Sequence, residues 1–192
     1  MELLKNRILK DAVVITDQFL QVDSFLNHQI DPALIEEIAS EFTARFLDTS
    51  FNRILTVESS GIAPSVLTGL KLGIPVIFAK KNDPSVKIND AYTEMVHLWT
   101  KKCDYQISVP SKFIKKGERI LIIDDFLANG SVSHALISIA EQGGARVGGI
   151  GIVIEKGFQE GGKILRDMGY RVESLVIVDN IKDKTIIFRE QH

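Results

Sequence analysis

A single cysteine, Cys103, stands among the 192 residues. No disulfide can therefore close within the chain, which suits a reducing compartment. Long apolar runs are missing too. Stretches such as 147–154 fall far short of the roughly 18 residues that span a bilayer. The opening MELLKNRILKDAVV is broken by Lys5, Asn6, Arg7, Lys10 and Asp11, so it lacks the uninterrupted core of a secretion signal. Positive charge is not in surplus: 23 Lys and Arg against 25 Asp and Glu leave a net charge of −2. That argues against a protein held to nucleic acid mainly by counterion release, and any polyanion site has to be local. Low-complexity tracts and repeats of solenoid period are lacking. The four histidines, His28, His97, His134 and His192, show no metal-ligand spacing and read as structural or solvated. The expectation is a soluble cytoplasmic protein with no membrane or nucleic-acid partner. With 45% apolar and 25% charged residues, a chain of this length makes a single domain over 1–192, burying about 70% of its unfolded surface.

What is present is an alternation of short β-rich and helical runs. Asp31-Pro32 supplies an N-cap and an N1 proline for a first clear helix, with Leu34, Ile35, Ile38, Phe42 and Phe46 on one stripe. RILTV (53–57), a helix over about 62–72 closed by Gly73, and PVIFA (75–79) form a βαβ unit. The pattern repeats as RILIID (119–124), a helix over about 131–142 stopped by Gly143-Gly144, and VGGIGIVI (147–154). A helical run near 161–168, VESLVIV (172–178) and TIIF (185–188) complete the sheet edge. Strands this uniformly apolar are buried on both faces, as in a parallel sheet, and the class is α/β.

Residues 80–105 break the rhythm. Lys80, Lys81, Lys87, Lys101 and Lys102 face Asp83, Asp90 and Glu94, with a brief alternating stretch from Thr93 to Trp99. Excursions this long tend to be lids, binding loops or disordered segments, and the basic excess suits an anionic ligand. A solvated hairpin with surface lysines is the plainer alternative.

The most informative stretch runs from Ile120 to Ser131. A buried strand ends in Asp124-Asp125, and a small-residue loop then enters a helix. Ligands of open α/β sheets bind at the carboxyl ends of strands, and a helix N-terminus offers unpaired N–H groups at a positive dipole end. Gly130 would let successive amides from Ala128 to Val132 turn onto one phosphate. Two carboxylates beside a phosphate need other partners, such as sugar hydroxyls or a divalent cation held through the ligand. A sugar phosphate satisfies both. The hairpin signal of Asn129-Gly130 is outweighed by helical spacing at Val132, Ala135, Leu136 and Ile139. The glycosylation pattern Asn129-Gly130-Ser131 is moot without secretion. A plain strand-to-helix connection with solvated acids stays open.

An apolar strand, Asp-Asp, two apolar residues and a small-residue loop resemble the phosphoribosyl diphosphate motif of the type I phosphoribosyltransferases. The resemblance covers essentially the whole chain and is strongest to the adenine and xanthine branches. It rests on TDQFLQVDSFLNHQID (16–31), ESSGIAP (58–64), IDDFLANG (123–130) and GIGIVIEK (149–156) together. It implies a mostly parallel sheet flanked by helices, a small hood from about 1–30 and the C-terminal end, and a long mobile loop at about 80–105. It also implies transfer of a phosphoribosyl group from phosphoribosyl diphosphate to a purine, xanthine above all, with substrate-bound Mg²⁺ rather than a protein-ligated metal, in a homodimer.

Roles follow residue by residue. Glu58, Ser59, Ser60 and Gly61 match the loop that grips diphosphate, and Lys80 and Lys81 match a basic pair before the mobile loop. Asp124 and Asp125 match the acids on the ribose hydroxyls. Ala128, Asn129, Gly130, Ser131 and Val132 match the 5′-phosphate loop. The residues 13–31 match the hood, with Leu20 as an apolar contact to the base and Asn27 as an amide on its edge. Lys156, at the carboxyl end of what reads as the final buried parallel strand, can donate to ring carbonyl oxygens and accept nothing, which suits an oxopurine. Phe126 or Phe158 could stack on the base or be packed inside. Two departures stand out. Many relatives have Thr-Gly-Gly-Thr where this chain has Asn129-Gly130-Ser131-Val132, leaving Ser133 as a substitute hydroxyl. The adenine enzymes carry Arg where Ser60 stands, which shifts neutralisation of the diphosphate to a lysine and weakens an adenine assignment. A transferase for another base keeps the same chemistry. A non-catalytic sensor of phosphoribosyl diphosphate is the reading from a different class, although no basic recognition helix accompanies the domain.

Overall fold

A computed structural model of the chain describes residues 1–98 and 103–190. In order, the elements are α1 (Glu2–Asp11), β1 (Val13–Thr16), β2 (Phe19–Gln21), a π-helical turn (Asp23–Asn27), α2 (Pro32–Arg45), β3 (Arg53–Val57), α3 (Ile62–Leu72), β4 (Val76–Asn82), β5 (Ala91–Leu98) and β6 (Cys103–Pro110). After a short 3₁₀ turn come β7 (Arg119–Leu127), α4 (Ser131–Gln142), β8 (Arg146–Lys156), α5 (Gly161–Asp167), β9 (Val172–Lys182) and β10 (Thr185–Phe188).

The described residues form one eight-stranded sheet, ordered β10-β9-β8-β7-β3-β4-β6-β5, and a separate β1-β2 hairpin. Pairing is parallel from β9 through β8, β7 and β3 to β4, and antiparallel at both edges. The class is the α/β class expected. Alternation along β7 divides its side chains between two cores. Leu121 and Ile123 join α1, α2 and α3 on one face, and Ile120 and Ile122 join α4 on the other. On the first face Phe42 and Phe46 are fully buried, each worth about 1.5–3 kcal/mol. They fit because β8 is glycine-bearing beneath them: a Cβ at Gly149 would stand 2.6 Å from Phe46, and one at Gly151 2.9 Å from Phe42. Asp31 caps α2 as its sequence position predicts, accepting from the Ala33 and Leu34 amides at 3.1 and 3.3 Å, a cap worth about 1 kcal/mol. Its second oxygen takes Arg7 at 2.7 Å and ties α1 to α2.

Several boundaries differ from the sequence expectations. A helix, α1, precedes Asp31; its charged residues hide the stripe that buries Leu4 and Ile8. The segment 80–105 is not a bare excursion. Lys80 and Lys81 belong to β4, paired with Ser108 and Ile107 of β6, and β5 and β6 make a long hairpin. Its tip, with Trp99, Lys101 and Lys102, lies outside the described residues, as does His192. The strand 147–154 is not the final parallel one, because β9 pairs parallel beside it. β7 also continues past Asp124 to Leu127, so the connection to α4 shrinks to 128–130. Among the described residues no helix is long and apolar enough to cross a membrane.

Candidate active site

Three strand ends converge here. β7 carries Asp124 and Asp125, β8 carries Glu155 and Lys156, and the turn after β3 carries Glu58 to Gly61. Asp124 is 4% exposed. Its carboxylate accepts the Asp125 amide at 3.0 Å. Burial, and then the neighbouring Asp125 charge, push the Asp124 carboxyl well above the usual carboxylate range, while Lys81 pulls the other way. Burial likewise raises Asp125, against hydrogen bonds that include the Ser60 hydroxyl. Adjacent carboxylates in a dry site cannot both hold charge cheaply.

The diphosphate-loop candidates lie directly over this pair. The Glu58–Ser59 peptide is cis, and Gly61 sits so close that a Cβ would stand 2.2 Å from Thr56 Oγ1 and 3.1 Å from Asp124 Oδ1. Thr56 Oγ1 is buried without a hydrogen-bond partner. Glu58 accepts the Lys81 amide at 2.6 Å. The Lys81 ammonium stands 5.5 Å from the centre of the Tyr105 ring, a phenol whose pKa is raised by burial and then by the Asp124 charge. The structure thus gathers Ser60, Gly61, Lys81, Asp124 and Asp125. Lys80, the next residue along β4, points to the opposite face of the strand.

Beyond Leu127 the chain turns over 128–130 into α4. Gly130 has φ +88°, a conformation open to glycine at little cost, and Asn129 Oδ1 accepts the Ser131 amide at 3.0 Å. All five residues from Ala128 to Val132 line a cleft of about 720 Å³, with buried Ser133 behind them. Thr16, Gln18, Phe19, Phe126, Lys156 and Phe158 form other walls of the cleft, and His97 faces it from β5. The Lys156 ammonium lies 5.6 Å from the Phe19 ring centre and 5.7 Å from that of Phe126, and donates to the Gln18 carbonyl at 3.1 Å. Burial lowers its pKa.

Not every candidate reaches the cleft. Leu20 is 5% exposed and packs with Val22, Phe25 and Leu26 in the first core, whereas its neighbour Phe19 lines the wall. Asn27 also lies away from the wall, although its Oδ1 is buried without a partner. Sequence reasoning missed Gln18, Phe19, Thr56 and Tyr105; His97, read as structural or solvated, pairs with Asp104 across the hairpin as a structural residue would and also borders the cleft. Among the described residues no group of three or more His, Cys, Asp or Glu side chains is placed to hold a metal ion. The two buried acids, short of countercharge, suit hydroxyls or a cation brought in with a ligand.

No family model matches the chain. Full-length relatives do. The xanthine phosphoribosyltransferase of Oceanobacillus iheyensis is 50% identical over 191 residues, covering 100% of this chain and 98% of its own. That of Pseudomonas entomophila is 48% identical over 190 residues, covering 99% and 100%. The chain belongs to the xanthine phosphoribosyltransferase family. Solved structures similar to it in fold include the adenine phosphoribosyltransferases of Rhodothermus marinus, with TM-score 0.74, 20% identity and coverage of 92% and 99%, and of Saccharomyces cerevisiae, with TM-score 0.71, 16% identity and coverage of 91% and 99%. As a member of the xanthine phosphoribosyltransferase family, the chain is a phosphoribosyltransferase. The type I fold expected from its motifs is the fold it has.

Proposed function

We propose that this chain transfers the 5-phosphoribosyl group of phosphoribosyl diphosphate to xanthine, giving xanthosine 5′-monophosphate and diphosphate. The observation that carries the reading is identity of about half the residues, end to end, with relatives of that name. The cleft agrees with it chemically. The amides of Ala128 to Val132 receive the 5′-phosphate at the α4 N-terminus. Asp124 and Asp125 take the ribose hydroxyls and stabilise positive charge that grows on the sugar ring as diphosphate departs. Glu58 to Gly61 hold the leaving diphosphate, and Lys81, on the site face of β4, supplies the cation that Ser60 does not. Mg²⁺ carried on the substrate would supply neutralisation of charge on the leaving group, with Asp124 and Asp125 the protein acids available to it.

Lys156 reads the base. To do so it exchanges the Gln18 carbonyl for a ring carbonyl oxygen of xanthine, between Phe19 and Phe126. Asn27, with a buried acceptor unpartnered, gains its missing hydrogen bond from the base edge, and Leu20 backs the hood from the core. The β5-β6 hairpin serves as the lid over the reacting centre, where exclusion of water protects the reactive sugar. Assembly as a homodimer in the cytoplasm belongs to the same reading and rests on the family resemblance.

The test is an assay with phosphoribosyl diphosphate, Mg²⁺ and a panel of five bases. Turnover with xanthine and none with adenine is expected. Turnover of adenine alone would move the chain to another branch, and ligand binding without turnover of any base would make it a sensor.

A further inference from the structure

Glu155 is the other acid at these strand ends, and no step of the proposed reaction uses it. It is 2% exposed and stands in register beside Leu127, the last residue of β7 before the phosphate loop. Its carboxylate accepts two nearly parallel hydrogen bonds from Arg166 of α5, at 2.9 and 2.7 Å, and a third from the Ser174 hydroxyl of β9. A forked guanidinium–carboxylate pair fixes direction as well as distance, so α5 is held at a set height over β8.

The start of α5 is wedged against the loop. The Gly161 amide donates to the Ala128 carbonyl at 3.1 Å. A Cβ at Gly161 would stand 2.4 Å from Ala128 O and 2.6 Å from Gly130 N, and a Cβ at Gly162 only 2.0 Å from Glu155 Oε1. Backbone alone therefore separates the carboxylate from the loop, and a shift at one end has no slack in which to die away. Binding groups must be held within about 0.5 Å of the productive geometry, and a three-residue turn does not hold itself so closely.

We propose that Glu155, through Arg166 and the first turn of α5, is a positioning residue that sets where the amides of 128–132 stand, and hence the affinity for a 5′-phosphate, without touching substrate. The proposal rests on the reading of that loop as the phosphate site.

The experiment uses the full chain with Arg166→Ala, Arg166→Lys and Gly161→Ala. It measures the Kd of ribose 5-phosphate and of inorganic diphosphate by calorimetry, together with kcat and KM for phosphoribosyl diphosphate. Arg166→Ala and Gly161→Ala should each weaken ribose 5-phosphate about tenfold and raise KM by a similar factor, with inorganic diphosphate binding kept within about twofold. Arg166→Lys, which keeps the charge and loses the fork, should fall between. The double variant should bind little worse than Arg166→Ala, because both act along one path. A purely structural role would lower the folded fraction and the apparent kcat while Kd and KM stayed at wild-type values, and that result would overturn the proposal. If Arg166→Ala does not fold, Arg166→Lys decides, since it loosens the fork on Glu155 without touching the loop, and wild-type Kd and KM in it would overturn the proposal. Failure of the unaltered chain to bind ribose 5-phosphate would instead sink the loop as a phosphate site and take the proposal with it. Binding without turnover would leave the proposal standing and remove only the transferase reading.

Discussion

Neighbouring strands β7 and β8 each end in buried acid, and the two sites have opposite surroundings. Burial works against the charge of Glu155, yet the Arg166 fork and the Ser174 hydroxyl hold its pKa below the usual carboxylate value. Burial works equally against Asp124 and Asp125, but their nearest charges are each other, and both pKa values rise. One acid is satisfied by the protein. The other two wait for something to satisfy them, and a protein keeps such an arrangement where a ligand completes it. The contrast separates architecture from chemistry on adjacent strands, and it can be broken from either side.

The largest effect is expected at Asp125. Asp125→Asn should lower kcat/KM by about 10² to 10³, the scale of losing one preorganised electrostatic partner of a transition state. Steady-state kinetics at wild-type values would remove Asp125 from the reacting centre. At the satisfied site the loss should appear in stability. Glu155→Ala leaves Arg166 without its partner. Because that guanidinium is 36% exposed, the cost should be about 2 kcal/mol rather than the 3–5 of a fully buried pair. Urea unfolding measures it. The depressed pKa of Glu155 means that its contribution is present above the ordinary carboxylate value and is lost as pH falls through the lower folded value. An unchanged unfolding midpoint in Glu155→Ala would erase the contrast.

A smaller effect concerns the base. Lys156 is partly desolvated and spends its ammonium on the Gln18 carbonyl between two rings. Lys156→Ala should reduce the preference for xanthine over adenine by about tenfold, since one lost donor to a ring oxygen costs on the order of 1.4 kcal/mol. A competition assay with an unchanged product ratio would show that another group reads the base.

The parts of this site that were legible in the sequence are those fixed by local rules. Asp31-Pro32 started a helix, Gly73 ended one in a left-handed conformation, and the spacing at Val132, Ala135, Leu136 and Ile139 placed α4 at Ser131–Gln142. The acids and the glycine turn of β7-α4 followed from the same reasoning. What stayed hidden depends on partners distant in sequence. Phe19 and Leu20 are adjacent apolar residues on opposite sides of a short strand, and only the packing of the hairpin decides that Leu20 enters the core while Phe19 faces the cleft. Glu155 needed Arg166 and Ser174 to become a clamp. The polar look of 80–105 left a hairpin open as the plainer alternative to a mobile loop, but did not disclose that Lys80 and Lys81 belong to β4 and pair with it.

The smallest effect is also the most direct test of waiting charge. An acid whose pKa is raised in the fold binds a proton that the unfolded chain has already released at the same pH. Stability therefore falls as pH rises from the ordinary aspartate value through the raised one, and the full cost is present above it. Asp124→Asn removes that charge and keeps an oxygen to accept the Asp125 amide, now at 3.0 Å. Without ligand, the variant should melt about 2–4 °C above wild type at pH 8, equivalent to roughly 1 kcal/mol for a chain of this size, and the gap should shrink toward zero near pH 4. Saturating phosphoribosyl diphosphate with Mg²⁺ should reverse the order. Wild type then gains about 2.7 kcal/mol at a hundredfold excess over Kd, and the variant, with one acid fewer for the hydroxyls, gains less. Thermal melts at the two pH values, with and without ligand, read all of this. A variant that melts below wild type at pH 8 in the absence of ligand would mean that the protein already stabilises the Asp124 charge, and the two strand ends would no longer differ in kind.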